Sequence, residues 1–128
     1  MYRKFLIQFL IKSAVLLGLI ALAVILFDPF FHYHKPIAGL KAVATEKEYQ
    51  VIGTIKNFDY DSLIVGSSVA ENFNNHWFDE AFECTSIKAI KSSGTTADLT
   101  YFIEEAYRYQ DLAYVFYSLD LFSLTANP

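Results

Sequence analysis

At 128 residues the chain has room for one small domain, and its apolar N-terminal run leaves about 100 residues for that domain. Hydrophobic residues make up 54% and aromatics 17%, above a typical soluble domain, and the N-terminal run accounts for part of the excess. All 14 acidic residues lie from Asp28 onward, against seven basic ones. That portion therefore carries a formal charge of −7 with no Lys/Arg cluster after Lys12, which excludes nucleic-acid binding.

The first predicted element is a membrane helix. Residues 5–27 read FLIQFLIKSAVLLGLIALAVILF. At the α-helical rise, this length spans about 34 Å, the thickness of a bilayer core. Lys12 is the one charge inside the run and lies close enough to its N-terminal end to snorkel to the headgroups. Arg3 and Lys4 precede the run and the acidic residues follow it. The charge bias thus puts residues 1–27 in place as a cytoplasmic N-terminus and anchor, with 28–128 outside the cell membrane. A cleaved signal peptide is the rival, since Ala21-Leu22-Ala23 resembles a cleavage site. Val24 to Phe27 continue the apolar run past that site, which favours an uncleaved anchor.

Residues 28–45 read as a connector. Asp28-Pro29 and Lys35-Pro36 break helices, and Phe30, Phe31 and Tyr33 suit a membrane interface. His32 and His34 alone fall short of a metal site, which needs three or more ligands. Cys84 is the only cysteine, so it forms no internal disulfide, and its apolar setting suggests a buried, inert thiol. No glycine loop cradles a phosphate and no dense ligand cluster occurs, so no cofactor or metal is implied.

Residues 46–128 alternate between strand and helix patterns. Glu46 to Lys56 suggest a short helix, weakened by Gly53. Tyr60 to Val65 read as a strand with an unbroken apolar end, expected where both sheet faces are covered. Gly66-Ser67-Ser68 ends it, and Val69 to Phe73 would open a helix with a serine near its N-cap. Thr85 to Ile90 form a second strand, followed by the polar turn Lys91 to Thr96. Ala97 to Tyr109 form a helix with Leu99, Phe102, Ile103 and Ala106 inward and Glu104, Glu105 and Arg108 outward. Asp98, with Thr95 or Thr96, suits its first turn. Leu112 to Leu119 form a third strand.

This alternation predicts an α/β fold with an N-terminal transmembrane helix and an incomplete three-stranded parallel sheet with flanking helices, flavodoxin-like and truncated. In such sheets ligands bind beyond the C-terminal strand ends. Gly66-Ser67-Ser68, Ser93-Gly94-Thr95 and Asp120 all fall there. Three strands leave edges and apolar surface bare, so residues 46–128 are expected to be the N-terminal part of a larger domain or to need a partner.

The stretch Tyr60-Asp61-Ser62-Leu63-Ile64-Val65-Gly66-Ser67-Ser68-Val69-Ala70-Glu71-Asn72-Phe73 resembles the first block of the SGNH (GDSL-like) hydrolase superfamily. It is most similar to membrane-anchored members associated with bacterial cell-surface polysaccharides. These also begin with one membrane helix, an Asp-Pro-Phe-type connector and a Tyr-Asp strand leading to a Gly-x-Ser turn. The resemblance implies Ser68 as nucleophile and the backbone N–H groups of Ser68 and Gly94 as an oxyanion hole. Asp120 occupies the region of the third block. The implied activity is that of an esterase or O-acyltransferase on a cell-envelope glycan, with an acyl-serine intermediate.

The sequence also departs from that pattern. Ser67 stands where the family has aspartate, and Ser118-Leu119-Asp120 lacks the third-block asparagine. No Asp-x-x-His occurs, so Ser68 has no general base, and His76, eight residues on, reads as a surface or cap residue. The chain by itself is therefore expected to be inactive. Two other readings stand beside the enzyme: an anchored accessory or binding module in envelope assembly, with Ser68 a helix N-cap in a tight turn, and a purely structural single-pass protein.

Overall fold

The structure is a computed structural model that describes residues 2–35, 37 and 47–121. The expected connector residues 38–45 and the segment 122–128 lie outside the described residues.

Helix α1 runs Tyr2–Phe27, three residues longer at its start than the apolar run. Its most apolar 18-residue stretch has a mean hydropathy of 2.7, and none of the helix is buried in the protein. It is long and apolar enough to cross a membrane. Its C-terminus is set by Asp28, whose N–H makes the last bond to Val24 (2.9 Å) and whose φ of 34° lies in the left-handed region.

A 3-10 turn at Lys47–Tyr49 precedes helix α2, Val51–Asn57. The single helix expected over 46–56 is therefore split at Gln50, whose side chain donates to the Pro29 carbonyl (3.1 Å) instead of facing solvent. Strand β1 is Ser62–Gly66, helix α3 Asn75–Phe82, strand β2 Ser86–Ile90, helix α4 Thr96–Tyr109 and strand β3 Tyr114–Tyr117. The strands form one parallel sheet in the order β2-β1-β3, with Ser62 opposite Ser86 and Tyr114. The expected three-stranded parallel α/β arrangement is present, with β1 central and every one of its residues buried.

The main core lies between the sheet and the pair α2 and α4. Val51, Ile55, Tyr60, Leu63, Val65, Ala89, Leu99, Phe102 and Ala106 form it. Burying side chains such as Leu63 and Leu99 stabilises the fold by about 1.5–3 kcal/mol each. Tyr60 does not belong to the strand. It plugs the core beside it, donates its hydroxyl to Ile55 (3.2 Å), and burial pushes that hydroxyl up to about 12. Asp61 ties the strand starts: its carboxylate accepts from the Thr85 N–H (2.8 Å) and its carbonyl from Ala113 (2.7 Å).

Helix α3 covers the other face through Phe78 and Phe82, which meet Phe116 at ring distances of 4.8 Å. This helix is not among the elements expected from the sequence, although Asn74 caps it by accepting from His76 (3.1 Å) and Glu83 ends it in the left-handed region. Helix α4 has the expected apolar stripe and a capping box between Thr95 and Asp98. Glu105 is the exception. Expected on the surface, it is buried and bonded by Arg108 (2.5 Å), which neutralises its charge.

Candidate functional site at the C-terminal sheet edge

The three strands end at one rim. Lys91, the first residue after β2, donates its N–H to Gly66 (3.2 Å), and Ser118, the first after β3, donates to Val65 (2.8 Å). The three polar turns singled out in the sequence therefore leave neighbouring strands at the same edge. Gly66 has no alternative there, because a Cβ on it would lie 2.6 Å from the Ala70 Cβ and 2.7 Å from the Ser118 Cβ.

Beyond Gly66 the two serines diverge. Ser67 is buried and donates its hydroxyl to the Asp120 carboxylate (2.5 Å), while its oxygen lies 3.4 Å from the Val69 N–H. Ser68 is exposed. Among the described residues neither its hydroxyl nor its N–H has a hydrogen-bond partner, and its carbonyl accepts from Glu71 (3.3 Å). The helix expected from Val69 is only a 3-10 turn, Ala70–Asn72, with no side-chain cap. Ser68 is thus not an N-cap. It sits on a turn fixed by Ser67, Gly66 and Ala70.

The second turn is more committed. Gly94 is buried, and its N–H is donated to the Lys91 carbonyl (2.9 Å). Ser93 before it has a φ of 53°. Lys91 pairs with Asp98 (2.5 Å), and Asp98 also accepts from Thr95, a combination that holds its carboxyl down at about 2. Glu48 accepts from the Ser92 N–H (2.6 Å). For the Gly94 N–H to face an oxyanion, this closed turn would have to give up one bond.

None of the three histidines hydrogen-bonds Ser68. His76 pairs with Glu80 (3.0 Å) on exposed α3. His32 lies tilted against the Phe30 ring (6.0 Å), and His34 bonds two backbone carbonyls, those of Lys35 and Ile25. Cys84 is half-buried, with its Sγ near the Phe78 carbonyl (3.7 Å) and Asp79 (3.8 Å). Among the described residues no group of three or more His, Cys, Asp or Glu could hold a metal. An apolar cleft of about 380 Å³ lies beside the rim, between Phe73, Phe78, Phe116 and Ser118, and Ser68 does not line it.

The Ser67–Asp120 pair was not foreseen. The sequence places Asp120 at the rim, but nothing in it says that this carboxylate reaches back 53 residues to the serine beside the candidate nucleophile. Comparison with protein-family models, with curated proteins and with solved structures finds no match for this chain.

Proposed function

We propose that the chain is the N-terminal, membrane-anchored part of an extracytoplasmic SGNH-like esterase or O-acyltransferase acting on cell-envelope glycan, with α1 crossing the bilayer N-terminus inward. The observation that carries the reading is the state of Ser68. It follows the central strand of a parallel sheet, it is exposed, and among the described residues its hydroxyl has no hydrogen-bond partner. Attack by a serine hydroxyl on an ester carbonyl needs an accessible oxygen, a base for its proton and N–H donors for the oxyanion. Ser68 offers the first and, through its own N–H, one of the donors. The base must come from an imidazole that these 128 residues do not bring to it.

The test uses the longest protein that begins with this sequence. If it carries an Asp-x-x-His segment, Ser68→Ala abolishes acyl transfer to glycan and leaves the fold intact. Retained transfer removes Ser68 from the mechanism. These 128 residues alone form no adduct with a fluorophosphonate probe. Labelling at Ser68 would show that the chain holds its own base.

A second reading is an anchored accessory module of envelope assembly, with glycan or an assembly protein as its partner. Two observations favour it: the Gly94 N–H is already bonded, and every histidine is engaged away from Ser68. Glycan binding that survives Ser68→Ala, with no acyl transfer by the longest protein, selects this reading.

A further inference from the structure

The junction between α1 and the α/β unit favours a charge on one side chain. His34 places Nδ1 2.7 Å from the Lys35 carbonyl oxygen and Nε2 3.1 Å from the Ile25 carbonyl oxygen. Both partners only accept. A neutral imidazole has a single N–H, so it satisfies one carbonyl and turns a lone pair on the other, whereas the imidazolium satisfies both. Ile25 lies in the last turn of α1, where carbonyls lack partners within the helix and their partial negative charge favours a cation.

The surroundings supply the counter-charge. Asp28 is 3% exposed and its carboxylate accepts the backbone N–H groups of His32 (2.9 Å), Tyr33 (2.7 Å) and His34 (3.0 Å). Burial works against its charge, but these three donors and the His34 ring outweigh burial and keep its carboxyl below the usual range. Residues 13–27 of α1 bring no ionisable group. Among the described connector residues the ionisable neighbours of His34 are Asp28, His32, Tyr33 and Lys35, and Lys35 is itself paired with Asp59 beyond α2.

Between Asp28 and His34 the connector is fastened to α2 and to Gln50 before it. The Phe30 and Phe31 carbonyls press against Gly53, where a Cβ would lie 2.2 and 2.6 Å from them. Asn57 donates to Phe31 (2.7 Å) and Gln50 to Pro29 (3.1 Å). Asp28 and His34 are thus the ties between this docked segment and the end of α1.

We propose that Asp28–Lys35 is a proton-dependent clasp: with His34 cationic it locks the direction of α1 relative to the α/β unit, and loss of that proton frees it. The carbonyls of Lys35 and Ile25 raise the proton affinity of His34 above that of an ordinary histidine, and Asp28 adds to it. The sign follows. The pair of ring bonds that joins Ile25 to Lys35 through His34 is fully present below the ordinary value of about 6.5, and one of the two is lost as pH rises through the higher, folded-state midpoint. The clasp stands on its own geometry and does not depend on any chemistry at Ser68.

The experiment uses the full chain in neutral detergent micelles, with Cys84→Ser and spin labels introduced at Val24 in α1 and Glu104 in α4. The expected distance distribution is narrow at about pH 5.5 and loses its narrow peak by about pH 9, bracketing the histidine range. His34→Phe removes both donors and should give the broad distribution at every pH, with amide protection of Leu63–Val65 unchanged as the sign of an intact sheet. His32→Ala should leave the pH response as it is. In the unlabelled chain, the His34 ring signals should titrate with a midpoint above the ordinary histidine value, and the His32 and Tyr33 amides should follow the same curve. Equal distributions at the two pH values, or a His34 midpoint at or below the ordinary value, would overturn the proposal.

Discussion

The membrane-exit connector and the C-terminal sheet edge are both short, polar and built on sharp turns, yet they are held in opposite ways. Among the described connector residues, one carboxylate takes three amides, one imidazole meets two carbonyls, and the side chains of Gln50 and Asn57 take two more carbonyls. At the sheet edge, Ser67 and Gly94 are bonded, but among the described residues the Ser68 hydroxyl has no partner. Segments that set geometry are over-determined by hydrogen bonds, whereas a group that must meet a ligand has to keep an unanswered donor or acceptor.

The largest expected effect is at the connector. Gly53→Val drives a side chain into the Phe30 and Phe31 carbonyls and should cost about 3 kcal/mol or more, because backbone on both sides has to move. Urea unfolding read by hydrogen exchange at Leu63–Val65 measures it. A cost near zero would mean that the connector docks elsewhere. At the sheet edge, Gly66→Ala should cost about 2 kcal/mol by the same measurement, since it crowds two Cβ atoms that have some freedom to shift.

Ser67→Ala comes next, at about 1 kcal/mol, for the bond lost and the Asp120 carboxylate left one donor short. Asp98→Asn should lower stability by a similar amount, about 1 kcal/mol, through its capping role. It should also remove an acid-dependent loss. The wild-type carboxyl is held down at about 2, so its contribution is present above the unfolded value of about 3.9 and disappears as pH falls toward 2. Wild type and variant should therefore converge in stability on acidification, and parallel curves would contradict the Lys91–Asp98 pairing. The smallest effect is at Ser68→Ala, within about 0.5 kcal/mol of wild type, since nothing in the fold leans on this hydroxyl. A large loss there would make Ser68 structural and blur the contrast between the two regions.

Much of this was readable in advance where one local pattern dominated. The unbroken run before Asp28, the apolar strand ending at Val65, the alternation of strand and helix, and the Leu99-Phe102-Ala106 stripe each predict their element, with boundaries shifted by two residues or so. Reading was poorer where short polar segments decide the outcome. Helix α3 is missed because its eight residues mix Asn, His, Asp and Glu and none of them is buried, Phe78 and Phe82 packing only partly on the sheet. Phe30 and Phe31, suited to a lipid interface by type, also pack half-buried against Tyr49 (6.0 Å) and Phe58 (5.3 Å), which their sequence context does not show, while Tyr33 stays exposed.

The sequence by itself determined the apolar α1, the parallel α/β alternation and the set of small polar residues due at the strand ends, because hydrophobic periodicity and turn chemistry are local properties. Only the tertiary structure decided that Asp120 reaches Ser67 and leaves Ser68 open, that Gly94 spends its N–H within its own turn, and that Asp28 and His34 knot the end of α1 to the sheet unit. Each of those outcomes depends on which donors and acceptors the fold brings within about 3 Å of one another, and no spacing along the chain encodes that distance.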